Sequence, residues 1–470
     1  WILHGRDESL RRNAAALLCR TLDLDLLTLD LTALPRRQED LAAGLNDALL
    51  RQRIIDAGLQ LVGIDKFHDG EGRLAPEVLA TLRVLRQARR PVFIDCETSG
   101  PIVEVLRDTH VISIRVPELD REGRTVAWHR ALATRRMTAS PEAAEVVADG
   151  FALTADQIRR AAQAVADEHA GQDAAEVSAA QLAAAARACS DQSIARVAQR
   201  LDLPFEWNDL VLPPVTIRRL RDIVHAIRDR HMVFGEWGFS RRTGGFGLRI
   251  LFAGPSGTGK TMAAATIARE LGVDIYRIDI SQTVSKYIGE TEKNLDKIFH
   301  AATYSNAILF FDEADALFGK RSDVKDAHDR YSNIETAYLL QKIEEYQGVV
   351  FLASNLSRNI DSAFSRRLNF VVDFPLPDKQ DRERLWRLML ASGAPVAADV
   401  DFAFLATQFT LTGGDIRNVT LDAAFLAAQS SERSVTMKNL IVALGRQLAK
   451  QGRAPSSAEF KHHHELLIEE

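Results

Sequence analysis

Residues 247–261, GLRILFAGPSGTGKT, combine the residue types that bind phosphate. Gly254 opens the pattern Gly-x-x-x-x-Gly-Lys-Thr, and Gly259, Lys260 and Thr261 close it. Glycines let backbone N–H groups close around phosphate oxygens, the lysine reaches the β- and γ-phosphates, and the threonine hydroxyl ligates Mg²⁺. The pattern therefore predicts a site for ATP and Mg²⁺. The predicted nucleotide-binding residues of this loop are Gly254, Pro255, Ser256, Gly257, Thr258, Gly259, Lys260, Thr261 and Met262.

The flanking residues supply the elements that must position this loop. An apolar run at 248–253 predicts a strand, and the alanine-rich stretch MAAATIAREL predicts a helix after the loop. The motif requires this strand–loop–helix setting, and the helix N-terminus adds partial positive charge.

A second apolar run, AILFFDEAD at 307–315, ends in two carboxylates. Asp312 is predicted to bind nucleotide and hold Mg²⁺, and Glu313 to polarise the attacking water. The tetrapeptide DEAD also suggests a helicase. Helicases of that class carry two tandem RecA-like domains and basic RNA-contacting motifs, and this sequence shows neither.

The bulk composition is that of a soluble globular protein. The chain has 470 residues, 46% hydrophobic and 26% charged, with a net charge of −5. This length predicts two to three domains. The chain has no excess of basic residues, which argues against a nucleic-acid-binding protein. The odd, widely spaced cysteines favour a reducing cytoplasm, and no apolar run is long enough to predict a membrane span.

Further motifs resemble the AAA+ ATPases, most closely over residues 205–450. VVFLASN (349–355) resembles their sensor strand, which implies that Asn355 orients the water. The segment at 360–378 resembles the one that carries arginine fingers, so Arg366 and Arg367 are expected to reach the neighbouring subunit's γ-phosphate. LTGGDIRNVTLDAAFLAA (411–428) resembles the first lid helix, where Arg417 is expected to contact nucleotide.

The resemblance also implies a homo-oligomer, a hexameric ring with a central pore that takes a protein or peptide substrate. Lys286, Tyr287, Ile288 and Gly289 match the family's aromatic loop that faces the pore. A surface tyrosine packed locally is the alternative. The charged segment 319–344 suits a second pore loop, or simply a solvated face.

Some of the wording is narrower than AAA+ in general. SKYIGETEKN, FFDEADALFGKRSDVKDAHDRYSNIE and GGDIRN resemble the AAA ATPases found alongside extracellular contractile injection systems, the phage-tail-like particles. This implies a role in assembling or loading such a system.

The front half repeats the back half with altered chemistry. Residues 4–32 align without a gap on 253–281, placing Gly5 on Gly254 but Arg11 on Lys260. LQLVGIDKF (59–67) aligns on the second motif, so that Asp65 meets Asp312 and Lys66 meets Glu313. FALTADQIRR (151–160) aligns on FTLTGGDIRN (409–418), while Asp108 and Thr109 replace the two finger arginines.

We therefore predict an α/β fold of two tandem AAA+ modules, each a parallel-sheet core with a small helical lid. Residues 1–200 form a degenerate module that does not hydrolyse ATP, with its core at about 1–135 and its lid at about 136–200. Residues 201–470 form the active module. Its parts are a linker at 201–215, a core at about 216–380, a lid at about 381–455 and a tail to 470, which is expected to be solvated.

Two functions remain open. The leading one is an ATP-hydrolysing motor that remodels, unfolds or threads a protein through a ring. The alternative is a nucleotide-gated scaffold or assembly factor with slow turnover and no threading. Glu313 favours turnover and Tyr287 favours threading, whereas the degenerate first module favours neither.

Overall fold

The computed structural model describes most of the chain up to residue 467. The residues outside the description are 36, 68–73, 170–175, 191–193, 195–197, 203, 231, 241–244, 246, 280–289, 306, 316–336, 356–365, 392–394, 430–432 and 468–470. The chain divides into two compact units, Trp1–Ser190 and Asp191–Glu470. Each is an α/β structure, which confirms the predicted class.

The first unit is built on a parallel five-stranded sheet. Its strands are β1 (Ile2–His4), β2 (Leu26–Asp30), β3 (Gly58–Val62), β4 (Val92–Cys96) and β5 (Ser113–Arg115). They lie in the order β2-β3-β4-β1-β5, and all pairs are parallel. A separate short parallel pair joins β6 (Thr138–Ala139) to β7 (Glu176–Val177).

Among the described residues of this unit, eight α-helices connect and follow these strands. They are α1 (Glu8–Thr21), α2 (Gln38–Ile55), α3 (Pro76–Leu82), α4 (Gly100–Val105), α5 (Arg121–Ala133), α6 (Pro141–Gly150), α7 (Ala155–Glu168) and α8 (Ala179–Cys189). Helices α5 to α8 pack around Trp128, which is fully buried. The helical part of this unit therefore has a core of its own, separate from the core that covers the sheet.

The second unit carries a six-stranded sheet. Its strands are β8 (Gln199–Arg200), β9 (Leu248–Ala253), β10 (Ile275–Asp279), β11 (Ile308–Asp312), β12 (Val349–Ser354) and β13 (Phe370–Asp373). The order is β13-β9-β12-β11-β10-β8, parallel except for the antiparallel edge strand β8. Strands β9, β11 and β12 are apolar almost throughout because both faces of the sheet are covered.

The helices of the second unit begin before the first parallel strand. They are α9 (Pro214–Arg228), α10 (Lys260–Leu271), α11 (Glu290–Ser305), a helical segment at 337–345, α12 (Lys379–Leu390), α13 (Phe402–Gln408), α14 (Gly413–Gln429), α15 (Met437–Lys450) and α16 (Ser457–Phe460). The last five pack around Trp386, which is fully buried like Trp128.

The two sheets have the same order when their parallel strands are numbered from one to five within each unit: two, three, four, one, five. Details also agree. Gly5 N donates to Cys96 O at 3.3 Å, and Gly254 N donates to Ser354 O at 3.1 Å, at the same place in each sheet.

An arginine that bonds backbone carbonyl groups occupies matching positions in the two units, partly buried as Arg124 and buried as Arg382. Arg124 donates through Nε to Ala148 O at 2.9 Å and through Nη1 to Leu119 O at 2.6 Å. Arg382 donates in the same way to Ala406 O at 2.9 Å and to Pro377 O at 2.7 Å. In each unit one guanidinium thus connects the segment just before its own helix, α5 or α12, to the next helix, α6 or α13.

The segment between the repeated regions belongs to the second unit. Gln199–Arg200 adds to the edge of its sheet, and Leu210 and Leu212 are buried in the core beneath it. Apolar residues among the prolines therefore anchor this segment.

The prediction of a solvated tail holds only in part for residues 461–467, of which Lys461, His462 and Glu465 are exposed. Phe460 is fully buried, and Leu466 and Leu467 pack against the helical core of the second unit. A Cβ added at Gly445 would lie 2.7 Å from Leu467 Cδ2, so Leu467 packs closely over α15 at this glycine. His463 stacks edge-on against Phe404, with ring centroids 5.0 Å apart.

Candidate functional site

The phosphate-binding pattern forms a tight loop at the carboxyl end of β9. Gly254 has φ 151°, and an added Cβ would lie 2.1 Å from Phe374 O. Gly257 and Gly259 also have positive φ, 77° and 98°. A side chain at Gly254 would collide with backbone, so the loop depends on glycine there.

Lys260 begins α10 and points back across the loop. Its Nζ donates to Gly254 O at 2.6 Å, Pro255 O at 3.0 Å and Asn355 Oδ1 at 3.0 Å. The side chain is buried. Burial lowers the pKa of Lys260, while the charges of Asp312 and Asp315 raise it. An ammonium in this position attracts an anion at the loop.

Asn355 lies just beyond β12 and is held by Asp315. Asn355 N donates to Asp315 Oδ1 at 2.8 Å, and Asn355 Nδ2 donates to Asp315 Oδ2 at 3.2 Å. Ser354 Oγ also donates to Asp315 Oδ1. The structure therefore brings Asn355 to Lys260 and fixes the amide oxygen toward the ammonium. Asp315 was not predicted. Its signal was the final residue of the tetrapeptide DEAD, whose first two residues are the predicted Mg²⁺ ligand and base.

Asp312 ends β11 and forms an ion pair with a residue that the sequence analysis missed. Arg277 Nη2 lies 3.0 Å from Asp312 Oδ2. Arg277 lies on the adjacent strand β10, so its signal appears only once the strand order is known.

Glu313 is exposed and has φ 52°, an uncommon value for a residue other than glycine. Its N–H donates to Asp312 Oδ1 at 3.1 Å, and Ala314 N donates to Ala353 O at 2.8 Å. These bonds fix a sharp turn directly after Asp312. Such strain is found where a side chain must be aimed for function.

The helical part of the unit touches the phosphate loop through two glycines. Gly414 N donates to Gly257 O at 3.0 Å, and a Cβ added at Gly257 would lie 2.7 Å from Thr412 Oγ1. Thr412 Oγ1 in turn donates to Asp415 Oδ2 at 2.8 Å. Glycine at both Gly257 and Gly414 thus allows the start of α14 to lie against the loop.

The remaining predicted residues are spread around this centre. Thr261 and Met262 lie in the first turn of α10 and are partly exposed. Arg417 is exposed on α14, and Arg366 is exposed before β13. Arg367 Nη1 lies 2.8 Å from Glu344 Oε1 of the same chain. The pore-loop residues Lys286, Tyr287, Ile288 and Gly289 lie outside the described residues.

The corresponding place in the first unit holds different chemistry. Gly5 has φ 142°, and an added Cβ would lie 2.5 Å from Val116 O, the counterpart of the Gly254 contact. Arg11, aligned with Lys260, is buried and donates to Gly5 O and Asp95 Oδ1. Its Nη2 lies 3.6 Å from Asp65 Oδ2.

Asp95 completes this internal charge cluster. Burial raises the pKa of Asp95 to about 6, while the positive charge of Arg11 lowers it. Gln60 Nε2 donates to Asp95 Oδ2 at 3.3 Å. Arg11 is therefore engaged by the protein's own oxygens, and Lys66 lies exposed beside Asp65.

The described residues contain neither a membrane-spanning helix nor a cluster of metal-binding side chains. None of the helices in the described part is both long and apolar enough to cross a bilayer. Within the same residues no group of three or more histidine, cysteine or acidic side chains is placed to hold a metal.

A parallel sheet with a glycine-rich phosphate loop at a strand end defines a nucleotide-binding α/β unit. Comparison with known proteins narrows this class. Residues 250–376 match the AAA family, described as the ATPase family associated with various cellular activities.

Curated relatives agree with this match. The chain is 31% identical over 208 residues to the Uncharacterized AAA family ATPase y4kL of Sinorhizobium fredii, covering 44% of this chain and 61% of that one. It is 33% identical over 232 residues to the ATP-dependent zinc metalloprotease FtsH 3 of Sphaerobacter thermophilus, covering 47% and 46%. It is 28% identical over 252 residues to the proteasome-activating nucleotidase of Saccharolobus solfataricus, covering 52% and 62%.

Together, the match and these relatives support an AAA-family ATPase region in the second unit. The chain spans about half to three fifths of the length of these relatives. The activity of the whole protein is therefore a matter for proposal.

Proposed function

We propose that the second unit hydrolyses ATP with Mg²⁺ and that the chain is a ring-forming motor that remodels or threads proteins. The observation that carries this is Lys260, held by Gly254 O, Pro255 O and Asn355 at the mouth of a glycine-built loop. The names of the relatives, a proteasome-activating nucleotidase and an ATP-dependent protease, favour protein substrates.

The residues of this site fit a nucleotide and its metal. A side chain at Gly254 would collide with the backbone of Phe374, so the loop has glycine there. Lys260 supplies a buried positive charge. Thr261 and Asp312 would hold Mg²⁺, which when bound neutralises charge on the phosphates. Glu313 accepts a proton from water, and Asn355 holds that water in place. Arg417, exposed on α14, would reach the nucleotide from the lid.

Arg366 and Arg367 are proposed to complete the site of a neighbouring subunit. Both are exposed. The ion pair of Arg367 with Glu344 is half-exposed, and such pairs contribute only about 0–1 kcal/mol, so it can be exchanged for a stronger partner. A guanidinium that meets γ-phosphate charge is worth about 10³–10⁵ in turnover in related chemistry.

We expect Arg366→Ala and Arg367→Ala each to bind ATP and to hydrolyse it at least about 10²-fold more slowly than wild type. Mixing either variant with Glu313→Gln chains should restore part of the activity, because an intact Glu313 site then faces an intact arginine. Steady-state turnover and nucleotide affinity check this, with the exposed Arg384→Ala as the control. Wild-type turnover in both variants, or no recovery on mixing, contradicts action between subunits.

The motor role is tested by stimulation with an unfolded protein such as casein. We expect the substrate to raise the ATPase rate of wild type severalfold and to leave Tyr287→Ala at its basal rate. A basal rate equal to wild type in that variant serves as the control for folding. If casein and other unfolded chains give no stimulation and are not remodelled, the chain is instead the nucleotide-gated scaffold.

The first unit is proposed to be a second AAA+ module that has lost catalysis, with the modules dividing near residues 190–200. Support comes from the shared strand order, the matching arginines Arg124 and Arg382, and the matching glycines Gly5 and Gly254. Arg11 fills the place of the catalytic lysine, and Lys66 cannot act as the base. Each chain should accordingly bind one nucleotide.

The assembly and setting are proposed on sequence grounds. A hexameric ring follows from the pore-loop and finger motifs, and a cytoplasmic location from three free cysteines, Cys19, Cys96 and Cys189. A role with a contractile injection system rests on the motif wording alone, since none of the three relatives above is named for one.

A further inference from the structure

Asp7 in the first unit makes contacts that its position in the chain does not explain. It lies two residues after Gly5 and is only 3% exposed. Its Oδ1 accepts from Leu10 N at 3.1 Å and from Ser9 Oγ at 2.9 Å. Its Oδ2 accepts from Ala155 N at 2.8 Å. One carboxylate thus joins residues far apart in sequence.

The two backbone donors belong to the first turns of two different helices. Asp7 is the N-cap of α1, and Ala155 is the first residue of α7. Helix N-termini carry partial positive charge and unpaired N–H groups, so each is stabilised by an anion. A single negative charge between two such ends stabilises both at once.

The second unit makes the corresponding contact without a charge. Ser256 occupies the place of Asp7 in the alignment and is exposed. There the loop meets the first turn of α14 through the neutral bond from Gly414 N to Gly257 O at 3.0 Å. A phosphate bound in that loop would supply the anion that the loop lacks. In the first unit the chain supplies its own.

A second bond reinforces the same junction. Arg6 Nη1 donates to Ala152 O at 3.1 Å, just before α7. Thr154 and Gln157 close a capping box at the start of that helix, so its first turn is otherwise complete. The bond from Ala155 to Asp7 is thus an addition that ties α7 to the sheet part of the unit.

We propose that Asp7 is a built-in anion that replaces nucleotide phosphate in the first unit and holds α7 onto the start of α1. The helical part of this unit then stays attached to its sheet whether or not nucleotide is present. This goes beyond the proposed ATPase of the second unit, because it gives the first unit a fixed, nucleotide-independent conformation.

The test is hydrogen exchange of the full chain without nucleotide, followed in peptides covering 152–168. Asp7→Ser keeps a good N-cap for α1 but is too short to reach Ala155 N, so it removes only the bridge. We expect exchange in the first turn of α7 to rise by about 10- to 100-fold, as a lost charge-assisted hydrogen bond predicts. Asp7→Asn keeps the shape without the charge and should fall between.

Glu8→Gln is the matched control. It removes one negative charge from the same turn of α1, and its ion pair is with Arg12 rather than with α7. It should leave exchange at 152–168 within about twofold of wild type, and circular dichroism should show wild-type helix content in all variants. Unchanged exchange at 152–168 in Asp7→Ser overturns the proposal, as does an equal rise in Glu8→Gln.

A second arm separates this proposal from the ATPase. With saturating Mg²⁺ and ATP, wild-type exchange at 152–168 should stay constant. A large change there on adding nucleotide shows that the first unit responds to it and overturns the proposal. The ATPase rate, measured separately, decides the proposed function independently of either result.

Discussion

Lys260→Ala should reduce ATPase activity below detection. The ammonium is buried against Gly254 O and Pro255 O, where it is the positive charge that can meet the phosphates. Removing one partner of a buried charged contact costs about 2–5 kcal/mol, which is about 30-fold to several thousand-fold in affinity. Transition-state charge on the γ-phosphate loses the same partner, so turnover should fall further. Calorimetric titration with ATP and a coupled ATPase assay measure the two losses.

Lys66→Ala is the matched control for this variant. Lys66 is exposed in the first unit at the place aligned with Glu313, and no proposed function depends on it. It should bind one ATP per chain and turn over at the wild-type rate. A stoichiometry of two in wild type, or residual ATPase in Lys260→Ala that disappears when Lys66→Ala is added to the same chain, would place a working site in the first unit.

Glu313→Gln should keep ATP binding and lower turnover by about 10²–10⁴-fold, because the amide cannot accept a proton from water. Residue 313 is held at φ 52° by bonds from its own N–H to Asp312 Oδ1 and from Ala314 N to Ala353 O, which glutamine leaves intact. The variant should therefore match wild type in thermal unfolding and nucleotide affinity.

Single-turnover hydrolysis and ATP affinity measured on the same preparation check this prediction. Glu345→Gln, an exposed carboxylate on the helical segment at 337–345, controls for the loss of one charge. Turnover within a factor of a few of wild type in Glu313→Gln would remove Glu313 from the mechanism. A parallel loss of ATP affinity would point instead to a damaged loop.

The phosphate loop and the strand end at Asp312 were predictable because residues close together in the sequence determine them. The spacing of Gly254, Lys260 and Thr261 determines a loop between a strand and a helix, and an apolar run that ends in Asp312 determines a strand end. The α/β class follows from the same strand–loop–helix pattern, whereas the internal repeat is predicted from identities that align at fixed offsets. The shared strand order adds the long-range agreement that a sequence alignment alone could not supply.

The missed residues act across strands. Arg277 reaches Asp312 because β10 lies beside β11, and Asp315 reaches Asn355 because β11 lies beside β12. Neither neighbour relation is visible from spacing along the chain. The alignment of Arg11 on Lys260 likewise does not show what Arg11 contacts. Its burial against Asp95 and Gly5 O makes it part of the core of the first unit.

The tail shows a different limit. The three consecutive histidines at 462–464 favour a solvated end. Its apolar residues, Phe460, Leu466 and Leu467, determine its position by packing on the helical core. Phe460 is fully buried, at roughly 1.5–3 kcal/mol for a large side chain, and the partly buried Leu466 and Leu467 add further apolar contact.

The buried guanidinium of Arg382 has a consequence for where the second unit can bend. It bonds Pro377 O, just beyond the sheet, and Ala406 O in α13, so those two points move as one body. A rotation of the helical part against the sheet must then be absorbed before Pro377, in the few residues that follow β13. Phe374 in that stretch packs its carbonyl against Gly254. A rotation of that kind would therefore act directly on the backbone that lies against Gly254 in the phosphate loop.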